Sequence, residues 1–521
     1  MDMQLSQLLF GLPGLIKAPA RDALISGLKI DSRDVQPGDL FVALSGETVD
    51  GHRFIADALA RGAAAIVGQQ TVENLLVPYV QVQDSRLALA YISAGFYGFP
   101  ARRLVMIGVT GTDGKTTTAN LIYHILQSAG LRTGMISTVN ARIGEVVLDT
   151  GFHVTTPEAP LVQSYLAQMV GAGLSHVVLE ATSHGLAQQR VAYCDFDLAV
   201  VTNVTHEHLD YHKSYEGYLA AKGLLLESLS RTSAKPFFTA RGAVINRDDR
   251  SYAYLRQITQ APILSYGLTI EADITAASPE TYPEGLKFTA LGQDLDGKSF
   301  QLQVESALVG EFNLYNVLAA VTLACGFMKL DAEAVRRGIK MTDAIPGRME
   351  RIDLGQPFSA IVDFAHTPNA LRKSLETARK LTNSRLIAVF GSAGLRDRQK
   401  RRLMAQVSTQ LADLAVFTAE DPRTESLAGI LADMAQGAEA AGGKEGEDFY
   451  RVPDRREAIR LATRLARPGD LVIACGKGHE QSMCFGEIEY LWDDRIALRA
   501  ALSELLNIPG PEMPFLPDAA N

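Results

Sequence analysis

A chain of 521 residues, 47% apolar, 21% charged and with a net charge of -9, is too long for one hydrophobic core and too apolar for a disordered polymer. The acidic balance excludes a general nucleic-acid binder, which would present basic surface to phosphate backbones. No run approaches the ~18 apolar residues of a membrane span, the N-terminus lacks a leader pattern, and the four cysteines have neither disulfide-framework nor zinc spacing.

In chain order, short apolar segments punctuated by turn residues (LKI, DLFVAL, AAAIV, PYVQV) predict a small α/β domain over residues 1–101. From LVMIGVT onward, over 102–345, uniformly apolar runs such as HVVLEAT and LAVVTNV alternate with helical patterns. That alternation predicts a parallel sheet covered on both faces. Over 346–521 the runs FSAIVDF, RLIAVFGS, LAVFTAE and DLVIACG alternate with long helices, which predicts a second doubly wound, Rossmann-like unit. The tail NIPGPEMPFLPDAAN, rich in proline, is expected to hold little order. The reading is therefore a cytoplasmic α/β protein of three domains.

The central domain opens with GVTGTDGKTTT at 108–118. A strand, a glycine turn and a helix starting at Lys115 would aim backbone N–H groups and the positive helix end at an anion. Gly111, Thr112, Asp113, Gly114, Lys115, Thr116 and Thr117 are the expected ATP contacts. Lys115 would reach the outer phosphates and Thr116 would ligate Mg²⁺. The strict pattern wants glycine at 109, where this chain has Val109. Farther on, His206, His208 and His212 do not make an HExxH zinc motif, since position 210 is Asp210. Asn203 and His208 instead follow a strand end, where open α/β sheets place ligands. Glu180, ending the neighbouring strand, offers a hard oxygen for Mg²⁺. The loop alone leaves the reaction open: a kinase, a motor ATPase or a sensor of a uridine sugar shares these features.

Taken together, GTDGKTTT, EATSHGLAQQRV, TNVTHEHLDYH with its following AAK, GEFNLYNVLAA, GRME, DFAHTPNAL and GKGHE resemble the Mur ligases, over residues 30 to 480. The resemblance implies an ATP-dependent, ADP-forming amide ligase of peptidoglycan precursor synthesis. It would act on UDP-N-acetylmuramoyl-L-alanyl-D-glutamate through an acyl phosphate, as a monomer with no nucleic-acid or membrane partner. It implies a UDP-binding first domain, with contacts at Ile30, Ser32, Glu47, Thr48 and Val49, and a muramoyl-peptide site at Thr155, Thr156, Thr182, Gln188 and Arg190. Lys115, Glu180, His208 and Lys222 would be catalytic. Thr116, Glu180, His208 and Lys222 would hold Mg²⁺, Lys222 as the CO₂-derived carbamate, N6-carboxylysine. Asn313, Asn316, Arg348, Asp363 and His366 would complete the ATP site by closure of the third domain. A folylpolyglutamate synthetase-like ligase is the more distant relative with the same chemistry.

The implied acceptor amine is bound by Arg396, Glu420, Asp421, Pro422, Arg423, Gly476 and Glu480. Members that take meso-2,6-diaminopimelate usually read Asp-Asn-Pro-Arg where this chain reads Glu420-Asp421-Pro422-Arg423. Arg423 and Arg396 supply the paired guanidinium donors a distal carboxylate needs. Asp421, negative where an amide is usual, favours a bare ammonium as in lysine or ornithine. The arginines decide for diaminopimelate, with lysine or ornithine as the alternative.

Overall fold

The computed structural model describes residues 2–46, 49–148, 156–205, 209–282, 284–342 and 344–517. Glu47, Thr48, Thr155, His206 and His208 lie outside the described residues. The chain divides into two compact units. One is Met1–Asp273 with Asp294–Gly297 and Thr322–Asp331, and the other is Ile274–Gln293 with Lys298–Val321 and Ala332–Asn521.

The first unit contains two larger sheets and the short antiparallel pair Met3–Gln4 with Leu24–Ile25. Strands Leu15–Lys17, Tyr79–Val82, Ala65–Gly68, Asp39–Val42 and Gly27–Lys29 lie in that order, parallel except for the first. Four of the five come from the segments read as short strands. The larger sheet has the parallel order Thr133–Ile136, His176–Glu180, Val105–Thr110, Leu198–Val201, Gly242–Asn246 and Ile263–Gly267. The hairpin Ala141–Ile143 and Val146–Leu148 extends it antiparallel at one edge. Every residue of Val105–Thr110 is buried, as expected of a strand covered by helices on both faces. Each fully buried aliphatic side chain contributes about 1.5–3 kcal/mol. Later strands flank Val105–Thr110 on both sides, so the connections leaving their C-terminal ends diverge and open a crevice there.

In the second unit, strands Ile274–Tyr282, Gly285–Gln293 and Ser299–Ser306 form an antiparallel meander. The same compact unit holds the C-terminal sheet. That sheet runs Glu350–Arg351, Ser359–Asp363, Leu471–Cys475, Leu386–Phe390, Leu414–Phe417 and Phe449–Arg451, parallel except for the first pair. Apolar clusters cover both its faces, one around Phe390, Phe417 and Phe449 and the other around Trp492 and Leu498. The tail departs from expectation. Residues 508–517 form no helix or strand, yet Leu516 is 1% exposed within the second of these clusters. Its apolar area is enough to anchor a chain whose prolines forbid regular structure.

Candidate active site

The strand Val105–Thr110 ends in a turn whose crest is Gly111 to Gly114, and the helix Lys115–Ser128 begins where expected. Gly111 has φ +149°, and a Cβ there would stand 1.8 Å from Thr202 Oγ1, so no other residue fits. Asn203 braces the turn on both sides. The Asp113 N–H donates to Asn203 Oδ1 (3.0 Å), Asn203 Nδ2 donates to Asp113 O (3.0 Å), and the Thr112 N–H donates to Asn203 O (2.7 Å). Thr202 adds a 2.6 Å bond to Asp113 O. Lys115 Nζ donates back to Thr112 O at 2.8 Å, which folds it over the loop. Thr116 Oγ1 donates to Glu180 Oε2 at 3.0 Å, and both residues are buried. The two are hard oxygen donors at a helix N-terminus, a set that fits Mg²⁺. Among the described residues no cluster of three or more His, Cys, Asp or Glu could hold a metal. His212 instead packs among the rings of His184, Tyr211 and Tyr218.

Lys222 lies on the helix Tyr215–Ser228, 1% exposed, with Nζ donating to Gly111 O at 2.6 Å and 4.5 Å from the Tyr218 ring. The Tyr218 hydroxyl is 3.2 Å from Thr112 Oγ1. Sequence reading placed Lys222 here by resemblance but missed Tyr218, which fixes the same turn from below.

The fold also gathers, in the first unit, described residues that the resemblance assigns to a muramoyl peptide. Thr156 Oγ1 is 3.0 Å from Thr182 Oγ1. Arg190 Nη1 donates to Thr156 O (2.8 Å), and its Nη2 donates to Gln188 Oε1 (2.7 Å). Glu158, which the sequence reading passed over, pairs with Arg190 at 2.9 Å. Elsewhere in this unit, Ile30 packs on the small sheet's core, Ser32 opens a one-turn helix capped by Asp31, and Val49 is exposed.

In the second unit, Asn316 Nδ2 donates to Asn313 Oδ1 (2.9 Å) on the helix Glu311–Val321. The Asp363 carboxylate accepts from the N–H groups of Met349 and Ala365 and from Ser374 Oγ. It thus holds the two turns that carry Arg348 and His366. Both stack on Phe364, Arg348 at 4.4 Å and His366 at 4.5 Å from the ring centre. His479, unremarked in the sequence, stacks there too at 4.7 Å, and burial keeps its imidazole neutral, down at about 3.

The turn Glu420–Arg423 follows the strand Leu414–Phe417. Gly394 stitches the Arg396 loop to it: its N–H donates to Asp421 O (2.9 Å), and a Cβ would meet Pro422 O at 2.0 Å. Glu425 accepts from the Leu395 N–H and from Arg401, tying the same two loops. No local pattern marks this glutamate in the sequence. Asp421 and Arg423 both adopt the left-handed region, at φ +42° and +54°, a cost of about 1–3 kcal/mol each. Neither the Arg396 nor the Arg423 guanidinium has a partner among the described residues. Lys477, 0% exposed, has Nζ 3.0 Å from Asp421 Oδ1 and 2.5 Å from Glu480 Oε2. Burial opposes its charge, but the carboxylates of Glu480 and Asp421 prevail and hold the ammonium up at about 12.

Glu420 is 6% exposed and its Oε2 has no hydrogen-bond partner. Gly476, at φ +111°, makes room for it, since a Cβ would come within 2.3 Å of that oxygen. Burial is the main cause pushing the Glu420 carboxyl up to about 7. Between the ordinary value of 4.5 and about 7, the folded state keeps a proton that the unfolded chain releases, so stability falls as pH rises through that window. Glu420→Gln is expected to flatten the fall, read as thermal midpoints at about pH 5 and about pH 8. An unchanged slope in the variant rules this residue out as its source.

Family models match along most of the chain: "Mur ligase family, catalytic domain" over 24–97, "Mur ligase middle domain" over 109–324 and "Mur ligase, glutamate ligase domain" over 347–478. A UDP-N-acetylmuramyl-tripeptide synthetase of Roseiflexus sp. is 42% identical, covering 96% of this chain and 99% of that one. The chain belongs to the Mur ligase family. A UDP-N-acetylmuramoyl-L-alanyl-D-glutamate--2,6-diaminopimelate ligase of Geobacillus thermodenitrificans is also 42% identical, covering 96% of this Mur ligase and all of its own length. A solved diaminopimelate ligase structure superposes with TM-score 0.62 at 32% identity, over 92% of this chain and 95% of that one. A Mycobacterium tuberculosis folylpolyglutamate synthase superposes at 0.61 over 82% of this chain and 96% of its own, but at 17% identity it shares the fold alone. No helix among the described residues of this Mur ligase is long and apolar enough to cross a membrane.

Proposed function

We propose that this Mur ligase joins meso-2,6-diaminopimelate to UDP-N-acetylmuramoyl-L-alanyl-D-glutamate, splitting ATP to ADP and phosphate, as a cytoplasmic monomer in peptidoglycan precursor synthesis. Relatives bearing that name at 39–42% identity support the reaction. The observation that carries the choice of acceptor is the pair of unpartnered guanidinium groups, Arg396 and Arg423, on two stitched loops. A distal carboxylate is what separates diaminopimelate from lysine, and guanidinium groups bind carboxylates in a matching fork.

The substrate carboxylate attacks the γ-phosphorus, the bond to the bridging oxygen breaks, and ADP leaves. The acceptor amine then attacks the acyl phosphate, loses a proton as the C–N bond forms, and displaces phosphate. Negative charge grows on the transferring oxygens. The amides of the Gly111–Thr117 turn, the helix end behind them and Lys115, released from Thr112 O, are placed to meet it. Mg²⁺, when bound, neutralises phosphate charge, and Thr116 and Glu180 are the donors for it. Carbamylated Lys222 would add an anionic oxygen pair. Its nitrogen would keep one hydrogen, so the bond to Gly111 O can persist. Thr156, Thr182, Gln188 and Arg190 hold the muramoyl peptide.

The test is incubation of the purified protein with ATP, Mg²⁺ and the UDP-muramoyl dipeptide, with diaminopimelate, lysine, ornithine or no amine. ADP release should require both the dipeptide and an amine. Release independent of amine would overturn the ligase in favour of a kinase or ATPase.

A further inference from the structure

The hydroxyl of Thr112 joins three elements of the first unit. It accepts the Thr205 N–H at 2.9 Å, from the segment that follows the strand Leu198–Val201, and lies 3.2 Å from the Tyr218 hydroxyl on the helix Tyr215–Ser228. Thr112 is 8% exposed and Tyr218 1%, so the junction is shielded from water. A hydroxyl has one proton and two lone pairs, and protein groups meet two of those three positions here. Tyr218 and Lys222 stand four residues apart on one face of their helix, and they grip adjacent residues of the phosphate turn, Lys222 through Gly111 O at 2.6 Å. The Thr205 side is also fixed. The preceding Val204 N–H donates to Asp249 Oδ1 at 3.1 Å, and Val204 O accepts from the Tyr215 hydroxyl at 3.2 Å. Donors that stabilise developing phosphate charge act best when they are held in place beforehand, and the Thr112 hydroxyl is where turn, helix and following segment lock together.

We propose that Thr112 and Tyr218 are positioning residues for the nucleotide, with Tyr218 acting through the Thr112 hydroxyl to hold the phosphate turn against the helix that carries Lys222. This rests on the ligase reading above, which makes the turn an ATP site. It gives the Thr112 side chain a role different from the one its place in GTDGKTTT suggests. The hydroxyl faces protein, and serves the phosphates only by fixing the backbone that meets them.

Four variants of the full chain test this, each measured for Kd of ADP with Mg²⁺, Kd of the UDP-muramoyl dipeptide and thermal midpoint. Thr112→Val removes the hydroxyl and leaves two buried groups unpaired, so Kd for ADP should rise about tenfold. Tyr218→Phe keeps the ring and removes one bond, and should raise it about threefold. Thr112→Ser, which restores the hydroxyl, should stay within about twofold of the unmutated protein. The double variant Thr112→Val with Tyr218→Phe should match Thr112→Val within about twofold, because both changes break the same junction. Kd for the dipeptide should move less than twofold throughout, whatever the thermal midpoint does. Weak ADP binding in Thr112→Val with normal binding in Tyr218→Phe would overturn the proposal, since the hydroxyl would then meet phosphate itself. A double variant as weak as the product of the single effects would overturn it too, because Tyr218 would act apart from Thr112. Equal loss of dipeptide binding would reduce both residues to general packing. If Thr112→Val does not fold, Tyr218→Phe decides, and unchanged ADP affinity there overturns the proposal. Absence of ADP binding by the unmutated protein would overturn the ATP site, and this inference with it.

Discussion

Lys222→Met is expected to cut Mg²⁺-supported ADP release by about 10²–10³-fold, the usual loss when one preorganised electrostatic group leaves a phosphate site. Binding of the UDP-muramoyl dipeptide should change less than threefold. The residues expected to hold that substrate form their own network, from Thr156 through Arg190 to Gln188, whereas Lys222 Nζ donates to Gly111 O in the phosphate turn. Methionine keeps most of the buried stem, so packing survives while the nitrogen that donates to Gly111 O is lost. Two roles are then separable. If Lys222 acts as the carbamate, the unmutated enzyme should lose activity when stripped of CO₂ and regain it with bicarbonate, and the variant should respond to neither. If it acts only by bracing Gly111, bicarbonate should change nothing in either protein. Near-normal turnover of Lys222→Met would discard both roles.

Arg423→Ala should abolish the preference for diaminopimelate over lysine. One charge-assisted bond to a carboxylate contributes about 1.5–3 kcal/mol, so kcat/KM for diaminopimelate should fall about 10–100-fold. Lysine, which has no distal carboxylate, should lose little. Arg423 is held in a left-handed backbone conformation, with its N–H donating to Cys484 O, so the guanidinium is aimed by a strained turn. Arg396 extends from an exposed loop and should show a smaller effect of the same sign. Should lysine or ornithine be the better substrate of the unmutated enzyme, these arginines are not distal-carboxylate readers, and the ligase reaction stands without them.

Much of the architecture was legible because it depends on local pattern. HVVLEAT, RLIAVFGS and DLVIACG are uniformly apolar runs bounded by helices, and each became a buried parallel strand. The phosphate turn was legible for the same reason: glycine, lysine and threonine at fixed spacing dictate a strand-to-helix turn, and the helix starts at Lys115. Less was legible where function depends on residues far apart in sequence. Glu425 and Lys477 carry no motif of their own role, yet one ties the Arg396 loop to Arg423 and the other joins Asp421 to Glu480.

Asp421 marks the boundary between the two kinds of information. By itself, the sequence determined the strands, the phosphate turn and the set of charged residues at the C-terminal sheet edge, because apolar periodicity and glycine placement act over a few residues. It could not determine what the Asp421 charge does. As one letter in EDPR, that carboxylate argued for an acceptor with a bare ammonium. Only the tertiary structure brings it to Lys477, 56 positions along the chain, where the charge is met within the protein. Coulombic interaction depends on distance in space and on local burial, and neither is encoded in the spacing of residues along the chain.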